Sequence, residues 1–220
     1  MTEHLRREVD RLKRKLLALS AYVEESVQRA VRSVSDRDEK LAQRVIDTDQ
    51  EIDDMEVEVE EDCLKTLALY QPVAIDLRLI IAVLKINNDL ERIGDLASNI
   101  AERAISLAHK PRIESPYDYA TMADKVQKML QKALDALVNA DSALAREVLA
   151  GDDEIDEINR LMYVKINQRI QEKPEDSDTL IQMLAISRNL ERIADHTSNI
   201  AEDVIYMTEG AIVRHGGRQY

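Results

Sequence analysis

The chain has 220 residues, 45% of them hydrophobic, with five glycines, four prolines, and tyrosine as its sole aromatic. That is enough for one domain or two small ones with an aliphatic core, and chain breakers are too scarce for anything but long helices. A net charge of −13 excludes nucleic acid as a direct ligand, since phosphate backbones need a basic face, and suits cations or basic protein patches instead.

The lone cysteine, Cys63, forms no internal disulfide and reads as a small core residue of a cytoplasmic protein. The longest aliphatic run, Leu79 to Leu84, is too short to span a bilayer. MTEHLRREVD at the N-terminus lacks the apolar core of a signal peptide.

Apolar spacing predicts the elements in order. Leu5, Val9, Leu12, Leu16, Leu19, Val23, Val27, Ala30 and Val34 step by three and four along one long amphipathic helix. Asp36 with Glu39 resembles the capping box of the next. Its stripe is Leu41, Val45, Thr48, Ile52, Met55 and Val59, continuing to about Leu69. Pro72 is placed to open a third helix at its first turn. Leu79, Val83, Ile86, Leu90, Ile93, Ala97, Ile100, Ala104 and Leu107 form that helix's seam. HKPRIESPYD, residues 109–118, carries two prolines in a polar setting and reads as a linker. Met122 to Leu137 predicts a fourth helix, and Leu144, Val148, Ile155, Ile158 and Met162 a fifth. After Pro174, Leu180, Leu184, Leu190, Ile193, Thr197, Ile200 and Val204 predict a sixth, and VRHGGRQY reads as a frayed tail.

The halves repeat. LERIGDLASNIAE from Leu90 returns as LERIADHTSNIAE from Leu190, with ten of thirteen positions identical. VIDTDQEIDDM from Val45 returns as VLAGDDEIDEI from Val148. The expected fold is therefore all-α: six helices forming a tandem repeat of two antiparallel three-helix bundles. Residues 1–110 and 119–208 would be the repeats, 111–118 the linker and 209–220 the tail. Whether the bundles pack side by side or end to end is not legible.

Each repeat carries acids that the seam does not need. On the third helix, Glu91, Asp95, Ser98 and Glu102 share a stripe about 150° from the apolar seam, facing away from the core. On the second helix, Asp49 and Asp53 lie about 110° from theirs. Neighbouring helices could bring the two pairs together, and Asp152, Asp156, Glu191 and Asp195 repeat the pattern. Acids opposite a seam are usually a solvated face. Here the i,i+4 like-charge spacing is mildly destabilising, yet both repeats keep it. Four oxygen donors per site suit hard cations such as Mg, Mn, Ca or iron, with room to bridge more than one ion; zinc is less favoured without His or Cys. Asn99 and Asn199 are second-rank ligand candidates.

Other chemistry fares poorly. None of the four histidines has a Glu three residues before it, as a di-iron bundle requires. His196 reads as a surface or packing residue. No phosphate loop or nucleophile elbow is present. A metal-dependent hydrolase would lack any base or nucleophile beyond the carboxylates, so the expectation is that the chain is not an enzyme.

The paired D-x-x-x-D and E-R-I-x-D motifs on a doubled three-helix bundle resemble those of the PhoU family of bacterial phosphate-signalling regulators. QPVAIDLR from Gln71, MEVEVEEDC from Met55 and VIYMTEGAIVRH from Val204 are similar to further stretches of that family. The resemblance covers essentially the whole chain. It implies a negative regulator of the phosphate-starvation response and of phosphate uptake. Such a protein is an adaptor between the phosphate transporter's ATPase subunit and the phosphate-sensing membrane histidine kinase, peripheral to the membrane through those partners. It also implies metal clusters, multinuclear in some members, on Asp49, Asp53, Glu91 and Asp95 and on Asp152, Asp156, Glu191 and Asp195. A homodimer is expected from the family and from exposed helical surface. Gly94 has Ala194 as its counterpart in the second repeat, and the QPVAIDLR stretch has no second copy, so the two sites need not be loaded equally. The alternative is a structural helical scaffold with unloaded acidic faces.

Overall fold

A computed structural model describes residues 3–113, 115 and 119–213. The chain forms α1 (Glu3–Asp36), α2 (Glu39–Tyr70), α3 (Ala74–Ala108), α4 (Tyr119–Asn139), α5 (Ser142–Leu149), α6 (Asp152–Glu172) and α7 (Ser177–Glu209), with a 3₁₀ turn at Pro174–Asp176 before α7. Part of the expected linker (114 and 116–118) and most of the expected tail (214–220) lie outside the described residues.

Local chemistry sets the helix ends. The cap of α2 is Asp38, two residues beyond the expected Asp36; its carboxylate accepts from the Leu41 amide at 3.0 Å. Asp141 caps α5 in the same way, accepting from the Ala143 and Leu144 amides. Pro72 lies two residues ahead of α3 rather than inside its first turn. Gln71 adopts a left-handed conformation (φ 45°) that closes α2.

The fifth expected helix is present as two pieces, α5 and α6, broken at Ala150 and Gly151. Asp152, Asp153 and Glu154 follow the break and fill the first turn of α6, where carboxylates complement the helix dipole. Asp152 thus begins a helix, whereas its counterpart Asp49 sits within continuous α2.

α1, α2 and α3 form one antiparallel bundle, and α4, α5–α6 and α7 the other. The bundles pack side by side, and the largest interface joins α3 to α7. These two helices run antiparallel: Arg103 reaches Gln182, Asp89 meets His196, and Lys85 meets Asp203. One continuous core results, in which Leu90, Ile93 and Ile100 are fully buried together with Leu190, Ile193 and Ile200.

Cys63 lies in this core at 0% exposure, its thiol pushed up to about 12 by burial, so it is inert packing. Gly94 has a packing reason. A Cβ there would sit 3.1 Å from Ile52 Cγ2 and 3.2 Å from Cδ1, so a side chain at this position would make Ile52 yield by a few tenths of an ångström. Gly94→Val should cost about 1–3 kcal/mol through overpacking, read as a lower urea midpoint. Ala194→Gly should cost about 1–2 kcal/mol, through helix propensity and the loss of a buried methyl.

Candidate metal centres

The four-residue spacing on α3 places Glu91 and Asp95 one turn apart, and Asp49 and Asp53 on α2 are set likewise. The α2–α3 packing then converges them. One oxygen from each of Asp53, Glu91 and Asp95 lies within 4.8 Å of the others. In the second repeat Asp156, Glu191 and Asp195 converge by the same criterion. Asp49 and Asp152 stand beside these triads, near enough to Asp53 and Asp95, and to Asp156 and Asp195, to repel them.

In the first repeat the acids are less outward than their angle from the seam suggests, whereas in the second Asp156 and Asp195 stay exposed and Glu191 is half-buried. Glu91 is 20% exposed and Asp95 38%, both in the groove between α2 and α3. Burial is the main reason that Asp49, Glu91, Asp152, Glu191 and Asp195 are all raised above the usual carboxylate range. Neighbouring carboxylates add to it: Asp95 acts on Glu91, Asp195 on Glu191, and Asp152 and Asp156 on Asp195. A serine hydroxyl partly offsets the effect in each repeat, Ser98 beside Asp49 and Ser198 beside Asp152.

Glu91 Oε2, Asp152 Oδ1, Ser98 Oγ and Ser198 Oγ are buried without a well-formed hydrogen bond, their nearest polar neighbours being Arg92 for Glu91 and, for each serine, the adjacent Asp49 or Asp152. Native structures leave few such atoms unsatisfied, and their place here, within two acidic clusters, fits a cation with its water shell. Arg92 supplies partial compensation, at 3.3 Å from Glu91 and 3.1 Å from Asp95, but is half exposed.

Spacing places Ser98 on the acidic stripe but does not show its burial, and it misses two further contacts. Ser98 is only 8% exposed and turns into the first site; its recurrence as Ser198 is the available signal. His196 joins the repeats, with Nδ1 2.8 Å from Asp89 Oδ1, and Asn199 donates to the same oxygen at 3.1 Å. Asn199 is therefore engaged with Asp89. Last, Arg78 of QPVAIDLR faces inward, stacking on the Tyr206 ring 5.9 Å away and filling the space over Gly210, whose φ is 75°. That stretch anchors the end of α7.

The fold and sequence have close counterparts. The PhoU homolog of Pseudomonas aeruginosa, named a phosphate-specific transport system accessory protein, is 40% identical over 99% of this chain and 90% of its own length. The corresponding homolog from Aquifex aeolicus is 36% identical over 95% of each. The crystal structure of PhoU from Pseudomonas aeruginosa superposes with a TM-score of 0.89 over 93% of this chain and 99% of that one. That of the phosphate transport system regulatory protein PhoU from Streptococcus pneumoniae, 27% identical, gives 0.84 over 95% and 99%. These relatives are named as accessory and regulatory proteins rather than enzymes. The PhoU domain pattern matches twice, over residues 16–104 and 119–204, and the chain belongs to the PhoU family.

Proposed function

We propose that this chain is an accessory regulator of phosphate transport that restrains uptake and starvation signalling by binding, with no catalytic step. In this reading, Asp49, Asp53, Glu91 and Asp95 hold hard cations in one repeat, and Asp152, Asp156, Glu191 and Asp195 in the other. Magnesium, manganese, calcium or iron suits an all-oxygen donor set. The bound ion supplies positive charge that draws α2 to α3 and α6 to α7, and so fixes the outer surface a partner reads. The partners in this reading are the transporter's ATPase subunit and the phosphate-sensing kinase, met from the cytoplasm. Self-association as a homodimer is supported by the apolar surface that α6 exposes at Leu161, Tyr163 and Val164.

The observation that carries the reading is the carboxylate convergence built twice. A specific observation favours the alternative, an unloaded scaffold: Arg92 already offers charge to Glu91 and Asp95. Cells lacking the chain separate the two. Wild-type protein should restore repression of a phosphate-starvation reporter, and Asp95→Asn with Asp195→Asn should not. Full repression by that variant at equal abundance would refute gating by metal. Pull-downs against the ATPase subunit and the kinase's cytoplasmic region test the adaptor role, and contact with neither would end it.

A further inference from the structure

One end of the molecule has a character unlike the rest. The antiparallel register that pairs Lys15 with Asp62 sets Arg7 level with about Tyr70, so α1 begins beside the α2–α3 turn. Arg78 packing over Gly210 brings the end of α7 to the same level. This end exposes large aliphatic side chains: Leu69 and Val73 at 75%, Ile75 at 70%, and Ile212 at 60%. They project from a helix turn and from the chain after α7, where Ile212 also borders a small cleft with Tyr206 and Val213.

Around them lies the most basic part of an acidic chain. The first fifteen residues hold six Lys and Arg against three acids. Arg7 holds Glu3, Arg11 holds Glu8, and Lys15 holds Glu58 and Asp62. Arg6, Lys13 and Arg14 are exposed and make no ion pair among the described residues. Asp10, Asp76 and Asp141, which caps α5, are opposing charges at this end, and Glu209 is held by Arg146. Lys13 and Arg14 stand on the flank of α1, roughly 10 Å above Arg6, which is about one Debye length at 0.1 M salt.

We propose that this end docks directly on an anionic phospholipid surface, with Val73 and Ile75 entering the interface and Arg6, Lys13 and Arg14 facing the headgroups. Protruding aliphatics flanked by exposed cations are what such a surface recognises. The contact is independent of the acidic sites. It would hold the chain at the membrane without a protein partner, leaving those sites free at mid-height of the bundles.

Sedimentation with sucrose-loaded vesicles tests this, comparing phosphatidylcholine containing phosphatidylglycerol with phosphatidylcholine alone. The full chain should pellet with the anionic vesicles at low ionic strength, and much less at high. Arg6→Glu/Lys13→Glu/Arg14→Glu should weaken binding about tenfold or more, as should Val73→Ser/Ile75→Ser. All five positions are exposed, and unchanged melting curves would establish that both variants fold. Failure to pellet, equal binding to neutral vesicles, or binding indifferent to both variants overturns the proposal. So does a concentration-dependent dimer, without vesicle binding, that Val73→Ser/Ile75→Ser dissolves, because a second copy would then cover the tip.

Discussion

Glu91→Gln combined with Glu191→Gln should raise the melting temperature of chelator-treated protein and lower that of the same protein in saturating Mn²⁺. Without an ion, each glutamate sits half-buried against a second carboxylate. Neutralising it relieves a repulsion worth a few tenths of a kcal/mol per pair. With an ion present, the same change removes a ligand. A site filled at a hundred times its dissociation constant stabilises the fold by about 2.7 kcal/mol, or roughly 5–10 °C in a chain of this length. The opposite signs in the two media separate a ligand from a merely structural acid.

The pH dependence has the same logic. Asp49, Glu91, Asp152, Glu191 and Asp195 are raised in the folded state. Their contribution is fully present below the unfolded carboxylate value and is lost as pH rises through the folded one. Chelated protein should therefore gain stability from these groups as pH falls from neutrality toward the ordinary carboxylate range. Bound cation favours the charged forms, so Mn²⁺ should remove or reverse that gain. Melting curves across this range, with chelator and with Mn²⁺, check both signs.

Lys85→Ala should cost about 2–4 kcal/mol, which is large for a helix-surface lysine. Asp203 is 3% exposed and takes the Lys85 ammonium at 2.8 Å across the α3–α7 interface. The same ammonium lies 5.2 Å from the Tyr206 ring. Removing the cation leaves a buried carboxylate without it, and the partial exposure of Lys85 keeps the cost below that of a sealed pair. Urea unfolding measures it. Adding Asp203→Ala should recover part of the loss, and a purely additive double variant would show that the two groups do not couple.

Much of this architecture is legible in sequence because it rests on periodicity. The three-four stripes through Leu90, Ile93, Ala97 and Ile100 define the buried seam, and the repeat a hundred residues on predicts the second bundle. What periodicity cannot express is how two amphipathic bundles meet. Their side-by-side packing depends on α3 and α7 being apolar over a wider arc than one seam, with Lys85, Asp89, Asp203 and His196 paired between them. The break at Gly151 was hidden because Val148 and Ile155 keep helical spacing across it. At the acidic sites, spacing gave the pairing of Glu91 with Asp95 but overstated their exposure. The angle from a seam places a residue relative to its own helix and takes no account of the neighbour that shades it. Arg78 shows the same limit: QPVAIDLR marks a helix start, while the partner of its arginine lies more than a hundred residues away at Gly210.

The central claim, that both carboxylate clusters hold cations, is tested most directly by equilibrium dialysis of chelator-stripped protein against Mn²⁺, with bound metal counted per chain. Wild-type protein should bind at both repeats. Asp53→Asn/Glu91→Gln/Asp95→Asn should lose the metal of the first repeat alone, and Asp156→Asn/Glu191→Gln/Asp195→Asn that of the second. Wild-type protein that binds no metal, or binding that neither triple variant reduces, would contradict it.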